Sequence, residues 1–529
     1  MLDLKISGGQ ILDGTGAPAV RLDVGVTGDT ITSVGDLARE PAGATLDAAG
    51  LTVAPGFIDM HSHSDWRLFG NRRAESKIRQ GVTTEVVGNC GFSPAPVSDQ
   101  FREEMRGFAL HVPPGMDFSW SSLGEFLRRY EDGGLALNVA QLVGHGTLRL
   151  AVMGFARRTP SVAELSRMRR LVESAMADGA CGLSTGLIYA PGSYAETDEI
   201  VEIARGAAHT GFYASHIRGE GATLLDSIAE AIRIGREGRL PVQISHIKAA
   251  GRRHWGRVKD ALALIDAARA EGLDVTADVY PYTASSTTLR TLLPDSALEG
   301  GIEAMLGRLR DPAARARIGE EMSSGPVLAR GMGWGDIMIA SAPSRPDAQG
   351  LRLDEIARRW GKDPIECVFD TLESERGRGY VILFQLDEAD LRRALVHPHV
   401  MIGSDGSALA ATGPLADGKP HPRSYGTFPR VLGRYARDEG LLTLPAAINK
   451  MTGMPAVRLG LSDRGIIRTG ARADLAVFSP GRVADAASYE DPHRYASGVE
   501  HVIVNGRLVI KSGEHTGSLP GRVLRPGIG

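Results

Sequence analysis

The length, composition and charge of the chain narrow its class before any motif is considered. Its 529 residues exceed what one hydrophobic core usually organises, so we expect a large domain with a smaller one. The 60 basic and 63 acidic residues nearly balance, and no basic tract interleaved with aromatic residues indicates nucleic acid. The cysteines number three, which excludes a disulfide framework, and no apolar run nears the roughly 20 residues of a membrane span. We expect a cytoplasmic protein that acts on a small molecule, with no nucleic-acid or membrane partner.

The two ends of the chain show the pattern of short β-strands. DLKISGGQIL and LDVGVTGDTITSVG near the start, and ADLAVFSP and HVIVNGRLVIKSG near the end, alternate apolar and polar residues between Gly and Asp turns. Asn505-Gly506 is a hairpin signal. Neither end has enough apolar surface to fold alone. We therefore predict that residues 1–54 and 466–529 pair as one small β-sandwich, with a catalytic domain of residues 55–465 inserted between them.

Strands and helices alternate through the inserted domain. SVAELSRMRRLVESAMADG opens with a capping box from Ser161 to Glu164, continues with helical apolar spacing, and stops at Gly179. A buried strand pattern, ACGLSTGL, follows, and the alternation continues through GFYASH, PVQISH and DVTADVYPY. Strands that are apolar on both faces and alternate with helices indicate a parallel sheet. About eight such units predict an α/β fold of the TIM-like (β/α)8 barrel type.

One stretch interrupts this alternation. Residues 285–345 contain LLPD, SSGPV and GMGWGDIM, with turn residues throughout, directly after the seventh predicted strand. A connection this long is usually functional, so we expect an insertion or lid over the active face of the barrel. A solvent-exposed insertion is the alternative.

Six side chains capable of binding metal recur where predicted strands end. In a parallel barrel the carboxyl ends of the strands meet on one face, so residues distant in sequence converge there. His61 and His63 in GFIDMHSHSD are alternate residues of an extended segment, which lets both reach one ion. Any one of the six alone is better explained as a core histidine or a capping aspartate. Their shared placement instead predicts a metal site made by His61, His63, Cys90, His216, His246 and Asp405.

Several motifs resemble those of the D-aminoacylases, or N-acyl-D-amino-acid deacylases, of the amidohydrolase superfamily. They are VVGNCGFSPAP, STGLIYAPGSYA, SHIRGEG, QISHIKAAG, DVYPYTASST and HPRSYGTFPRVLG, and the resemblance covers nearly the whole chain. It implies zinc-dependent hydrolysis of the amide bond of N-acyl-D-amino acids. It also implies that Cys90, His216 and His246 hold a tight zinc ion. His61, His63 and Asp405 then flank a second position that is weakly occupied or empty, and Asp405 is the general base.

The resemblance further implies a binding site for the substrate's α-carboxylate at Lys248, Tyr282 and Arg423. A single Lys or Arg on a loop is otherwise a solvated surface charge, and SALAATGPLADGKP makes the loop between Asp405 and Arg423 longer than in some relatives. Tyr189 and Tyr194 are candidates to line an acyl or side-chain pocket, although ordinary packing explains either equally well. Near the start of the insertion, an arginine would suit an acidic substrate side chain and three leucines an apolar one: Arg290, Leu289, Leu292 and Leu293. The sequence does not decide between them.

Two other functions compete with the deacylase. Cyclic-amide hydrolases such as hydantoinase and dihydroorotase use the same barrel but typically need a bridging lysine on the fourth strand, where this chain has Leu183-Ser184-Thr185. The thiol of Cys90 therefore favours the deacylase. A non-catalytic barrel homologue would typically have lost metal ligands, whereas all six are present. Cys181 and Cys367 lack such a context and are expected to be packing residues. A homo-oligomer is compatible with the sequence, and D-stereochemistry follows only from the resemblance.

Overall fold

The secondary structure is described here from a computed structural model that covers residues 1–109, 112–113, 115–208, 210–323 and 331–526. Its strands are β1 Leu2–Ser7, β2 Gln10–Ile11, β3 Val20–Arg21, β4 Asp23–Thr27, β5 Thr30–Gly35, β6 Ala42–Asp47, β7 Thr52–Pro55, β8 Phe57–Asp59, β9 Val82–Val87, β10 Asn138–Gly144, β11 Gly182–Gly186, β12 Phe212–His216, β13 Val242–Ile244, β14 Val275–Val279, β15 Ser285–Thr288, β16 Ile337–Ser341, β17 Tyr380–Leu383, β18 Val400–Ile402, β19 Leu475–Phe478, β20 Val499–Val504, β21 Arg507–Lys511, β22 Glu514–His515 and β23 Val523–Leu524.

The helices follow the strands in chain order. They are α1 Arg67–Gly70, α2 Glu75–Ile78, α3 Arg102–Phe108, α4 Leu123–Gly133, α5 His145–Met153, α6 Val162–Ala177, α7 Thr197–Ala204, α8 Leu224–Gly238, α9 Val258–Ala270, α10 Asp295–Leu298, α11 Gly301–Arg310, α12 Pro312–Ser323, α13 Leu353–Trp360, α14 Pro364–Ser374, α15 Glu388–Val396, α16 Arg423–Arg430, α17 Leu444–Lys450 and α18 Gly453–Arg458. A π-helical segment, Val431–Asp438, continues α16. Within the described residues, no helix is both long and apolar enough to cross a bilayer.

Eight parallel strands form a nearly closed barrel, in the order β8-β9-β10-β11-β12-β13-β14-β18. Every residue of β9 and β10 is buried, as expected for strands that are covered on both faces. The first and last strands, β8 and β18, are joined by a single parallel bridge between Ser62 and Gly406 rather than by a ladder. The predicted barrel is confirmed.

The helix predicted after Ser161 is also confirmed. The Ser161 side chain accepts a hydrogen bond from the Glu164 amide, and the Glu164 carboxylate accepts one from the Ser161 amide. α6 ends at Ala177, and Gly179 has a φ of 107°, which suits glycine far better than other residues. β11 follows, so the chain re-enters the barrel directly.

Two sheets outside the barrel contain strands from both chain ends. One has the order β5-β4-β1-β6, and the other has the order β22-β21-β20-β19-β7-β2-β3. Val24 and Ile31 of the first sheet share a buried apolar core with Val53, Val477 and Ile503 of the second. The predicted pairing of the two ends into a small β-sandwich is confirmed.

A separate unit follows β14. Its three-stranded antiparallel sheet has the order β15-β17-β16, and α10 to α14 accompany it. Its buried core includes Leu289, Met305, Ile337, Phe369 and Val381. We call this unit, from Ser285 to Leu383, the subdomain. Its core extends beyond residue 345 because β17, α13 and α14 pack into it. Of the stretch SSGPV, which begins at Ser323, only that first residue lies within the described part of the chain.

Candidate metal centre and active site

The six side chains expected to bind metal meet at the carboxyl ends of the barrel strands. β8 ends at Asp59, so His61 and His63 lie in the following loop rather than on the strand itself. Their rings are 5.4 Å apart. The other four are Cys90, three residues beyond β9; His216, the last residue of β12; His246, two residues beyond β13; and Asp405, three residues beyond β18.

Three of these six residues have backbone conformations that are unusual for residues other than glycine. The φ angles of Cys90, His246 and Asp405 are 55°, 37° and 50°. Left-handed φ values in such residues are energetically unfavourable and cluster at functional sites, where the surrounding structure holds them. The unusual backbone angles of these three loops therefore occur at the residues that are predicted to bind metal.

Cys90 lies at the centre of the cluster. Its Sγ is 3.3 Å from His61 Nε2 and 3.6 Å from both His216 Nδ1 and His246 Nε2. Burial raises the pKa of the thiol, but the neighbouring imidazoles of His61 and His63 outweigh it and hold the pKa well below its usual value. A buried thiolate surrounded by imidazole nitrogens is a suitable zinc ligand set.

The donor atoms form two overlapping groups. One comprises Cys90, His216 and His246, and the atoms within it lie within 4.8 Å of one another. The same limit holds for a second group, made by His61, His63, Cys90 and Asp405. The residues therefore fit a metal in either position. Cys90 belongs to both groups, whereas the resemblance assigned it only to the first.

Asp405 connects the cluster of metal-capable side chains to the guanidinium of Arg423. Its carboxylate is 3.1 Å from His63 Nε2 and 2.8 Å from Arg423 Nη1. Burial raises the pKa of Asp405, but Arg423 and His61 outweigh burial and hold it well below the usual value. The carboxylate is thus ionised.

Two buried carboxylates support the histidines, and the sequence did not single them out. Asp278, near the end of β14, has Oδ1 3.2 Å from His61 Nδ1 and accepts the His246 amide at 2.8 Å. Glu220 Oε1 is 3.3 Å from His246 Nδ1 and 2.5 Å from Lys248 Nζ. A carboxylate on the second nitrogen of a metal-binding histidine fixes its orientation. The inward alternation of DVTADV could have indicated Asp278, but Glu220 lies in a loop and gave no such signal.

A fully buried lysine lies between the first, second and last barrel strands. Lys77 Nζ is 2.7 Å from Asp59 Oδ2, 3.1 Å from Glu85 Oε1 and 2.6 Å from Ser404 Oγ. Ser404 immediately precedes Asp405. This network links β8 and β9 to the loop that follows β18, and β8 and β18 share no ladder. Lysine is rarely buried, so sequence reasoning had no cause to place it here.

The residues expected to bind the substrate carboxylate are only partly brought together. Lys248 and Arg423 both lie against the ring of Tyr280, at 5.7 Å and 4.8 Å from its centroid. Tyr282, the tyrosine named from the sequence, instead packs under the guanidinium of Arg430 at 4.8 Å and does not line either large cavity. Tyr280 lines one of them. Tyr280, rather than Tyr282, therefore lies next to Lys248 and Arg423.

Two cavities open onto Asp405. One, of about 570 Å³, is lined by His216, Lys248 and Tyr189; the other, of about 1160 Å³, is lined by Arg423. The Tyr189 hydroxyl is 3.1 Å from Thr287 Oγ1 in the subdomain, and its ring is 5.1 Å from that of His216. Both cavities therefore lie between the barrel face and the subdomain.

Of the other residues expected to line a pocket, some line a cavity and some do not. Arg290 lines both cavities, and Leu292 and Leu293 line the smaller one. Leu289 is buried in the subdomain core and lines neither cavity. Tyr194 also lines neither, and lies under the guanidinium of Arg157 at 5.8 Å.

Comparison with known proteins identifies the family. A family model described as "Amidohydrolase family" matches residues 44–510. The chain belongs to the amidohydrolase family. It is 40% identical to a D-aminoacylase of Alcaligenes xylosoxydans xylosoxydans, with 99% of this chain and 97% of that protein covered. It is 38% identical to an N-acyl-D-glutamate deacylase of the same organism, with 99% and 96% covered.

The chain is also similar along its whole length to a solved structure. It is an N-acyl-D-glutamate deacylase from Bordetella bronchiseptica, complexed with zinc and a phosphonate inhibitor that mimics the tetrahedral intermediate of the reaction. The two chains superpose with a TM-score of 0.83 at 36% identity, and 99% of each is covered.

Proposed function

We propose that this chain is a zinc-dependent N-acyl-D-amino-acid deacylase, which hydrolyses the amide bond to give a carboxylic acid and a free D-amino acid. The observation that carries the proposal is the Cys90-centred donor set next to an ionised Asp405, at the point where two cavities meet. The similarity to a D-aminoacylase and to N-acyl-D-glutamate deacylases along the whole chain supports the same reaction.

The ligand set indicates how zinc would be held. Cys90, His216 and His246 would bind the tight ion, and His61, His63, Cys90 and Asp405 surround the second, weaker position. When bound, zinc polarises the amide carbonyl and lowers the pKa of water, which makes hydroxide available near neutral pH. Asp278 and Glu220 keep the imidazoles oriented.

Asp405 would carry out the proton transfers. Its carboxylate accepts a proton from the attacking water and delivers that proton to the amide nitrogen as the C–N bond breaks. The products are then a carboxylic acid and an amine, with no other reactant needed. The 3.1 Å contact with His63 would keep the carboxylate next to the residues that would hold the metal.

Lys248 and Arg423, with Tyr280 between them, would bind the α-carboxylate. A carboxylate that reaches both cations gains charge-assisted hydrogen bonds, which are about twice as strong as neutral ones. Glu220 fixes the ammonium of Lys248, since the two groups are 2.5 Å apart. We also propose that the substrate's side chain is apolar, because Phe92, Leu293 and Met305 contribute to the wall of the 570 Å³ cavity.

The subdomain would act as a lid over this face. The sequence predicted a lid at residues 285–345, and Ser286, Thr288 and Arg290 of β15 and its extension line both cavities. A segment in this position would exclude water from the bound substrate. A cytoplasmic location is part of the proposal, supported by three unpaired, buried cysteines. Assembly into a homo-oligomer remains a prediction that sedimentation would test.

The reaction class is tested with a panel of substrates. N-acetyl derivatives of D- and L-leucine, phenylalanine, glutamate and aspartate would be compared with dihydroorotate and hydantoin, and release of free amine or ring opening measured. We expect turnover of the D-leucine and D-phenylalanine derivatives only, with Asp405→Asn as the inactive control for contaminating activity. Faster turnover of the D-glutamate derivative would assign the side chain to Arg290. Ring opening without release of D-amino acids would support the cyclic-amide alternative instead.

A further inference from the structure

His421 lies at the junction between the subdomain and the helix that carries Arg423. It is buried, two residues before Arg423, the first residue of α16. Its ring makes edge contacts with three tyrosines, at centroid distances of 6.1 Å to Tyr280, 5.2 Å to Tyr282 and 5.2 Å to Tyr489. These contacts fix the plane of the imidazole.

Both nitrogens of His421 are hydrogen-bonded, and only one protonation state satisfies them. The Arg423 amide donates to Nδ1 at 3.0 Å, so Nδ1 carries no proton. Nε2 must then carry the proton that it donates to the Ala284 carbonyl, also at 3.0 Å. Burial and the nearby charge of Arg423 hold the pKa of His421 well below its usual value, so the ring stays neutral.

The two partners of His421 belong to different parts of the fold. Ala284 directly precedes β15, the first strand of the subdomain, and Arg423 begins α16 on the barrel side. The Arg423 side chain contacts the same strand, since its Nη2 donates to the Ser286 carbonyl at 3.1 Å. The side chain of Arg423 is thus bonded directly to β15. Its backbone amide is linked through His421 to Ala284, the residue before β15.

We propose that His421 is a positioning residue for recognition of the substrate carboxylate, because it holds the start of α16, and therefore Arg423, in register with the first strand of the subdomain. The proposal rests on the proposed function for its kinetic consequences. His421 lines the larger cavity, and its hydrogen bonds go to Ala284 and Arg423 rather than to the six metal-capable residues. Its loss should therefore weaken binding of the carboxylate and leave the chemical step nearly unchanged.

Two conservative substitutions separate the two hydrogen bonds. In His421→Asn the side-chain oxygen can still accept the Arg423 amide, as in an Asx turn, but the bond to Ala284 is lost. In His421→Gln the longer amide can still donate to Ala284, but Arg423 loses its acceptor. His493→Gln is the matched control. His493 also donates to a carbonyl, that of Gly418, and bonds Tyr425 of α16, but it contacts neither Arg423 nor β15.

The kinetic test compares an N-acetyl-D-amino acid with its C-terminal carboxamide. For the carboxylate substrate we expect both His421 variants to raise KM roughly tenfold, as expected for one lost buried hydrogen bond, with kcat nearly unchanged. The carboxamide and the His493→Gln control should show little change. Equal losses on both substrates, or one variant with parental KM, would overturn the proposal.

A second measurement does not depend on activity. Amide hydrogen exchange of Arg423 should be faster in His421→Gln, which lacks its acceptor, and exchange of residues 284–288 should be faster in His421→Asn, which lacks the bond to Ala284. Both rates are compared with the parent and with His493→Gln. Unchanged exchange in both segments would refute the positioning role. If exchange changes but the parent releases no D-amino acid from any substrate, the structural link stands and the proposed reaction fails. Since each variant keeps one of the two bonds, failure of one to fold leaves the other to test the proposal.

Discussion

Removal of the Arg423 side chain tests how the substrate is recognised. In Arg423→Ala, the guanidinium that lies 2.8 Å from Asp405 and 4.8 Å from the Tyr280 ring centroid is absent. A hydrogen bond to a charged group contributes about 1.5–3 kcal/mol, and 1.4 kcal/mol corresponds to a factor of ten. We therefore expect kcat/KM for an N-acyl-D-amino acid to fall by about 10- to 140-fold, mainly through KM.

The carboxamide of the same compound provides the internal comparison. It lacks the negative charge, so loss of Arg423 should change its kcat/KM much less. Loss of the ion pair with Asp405 would affect both substrates alike and appear in kcat. Arg430→Ala is a control on the same helix, because Arg430 pairs with Asp485 at 2.8 Å, away from the cavities. If steady-state assays show equal losses on the two substrates, Arg423 acts through Asp405 or through folding and does not bind the carboxylate.

The other predictions concern the metal, the base, the tyrosines and the lid. Cys90→Ala should lose zinc and activity together, and full zinc by elemental analysis with near-normal turnover would disprove its role as a ligand. Asp405→Ala should lower kcat by about 10²- to 10⁴-fold with the tight zinc retained, and loss of zinc would make it a structural ligand. Tyr280→Phe should raise KM and Tyr282→Phe should not, and the reverse result in the same assay would restore Tyr282 to the binding site. Limited proteolysis should cut within residues 285–345 of the free protein and more slowly with a substrate-like inhibitor, whereas an unchanged rate would indicate a static subdomain.

The barrel and the cluster of ligands could be predicted because both depend on simple regularities. Apolar runs alternating with amphipathic helices specify parallel strands, and the carboxyl ends of such strands converge. His216 ends β12, and Cys90 and Asp405 each lie three residues beyond a strand. These positions at the ends of strands were enough to predict that the three side chains converge.

The choice between Tyr280 and Tyr282 could not be made in this way. Residues two apart on an extended strand face the same side, so both appeared equivalent. β14 ends at Val279, however, and the Tyr282 amide donates to the Tyr280 carbonyl at 3.0 Å. This tight turn redirects the chain, and only Tyr280 lines a large cavity. Sequence periodicity contains no signal for such a turn.

The buried charges that support the site, and the full extent of the subdomain, also could not be predicted from the sequence. Lys77 of α2 meets Asp59 of β8 and Glu85 of β9 only in the folded barrel, and no local pattern encodes that contact. β17 pairs with β15 across nearly a hundred residues, and its strand, YVIL, is too short to be distinguished from a buried helical segment.

The dependence of stereospecific hydrolysis on zinc tests the central claim most directly. The protein would be stripped with a chelator and titrated with zinc, and amine release from N-acetyl-D-leucine and N-acetyl-L-leucine measured at each step. We expect no hydrolysis by the stripped protein, recovery of activity on the D-enantiomer with about one equivalent of zinc, and none on the L-enantiomer. Undiminished activity of the stripped protein, or equal turnover of both enantiomers, would contradict the account.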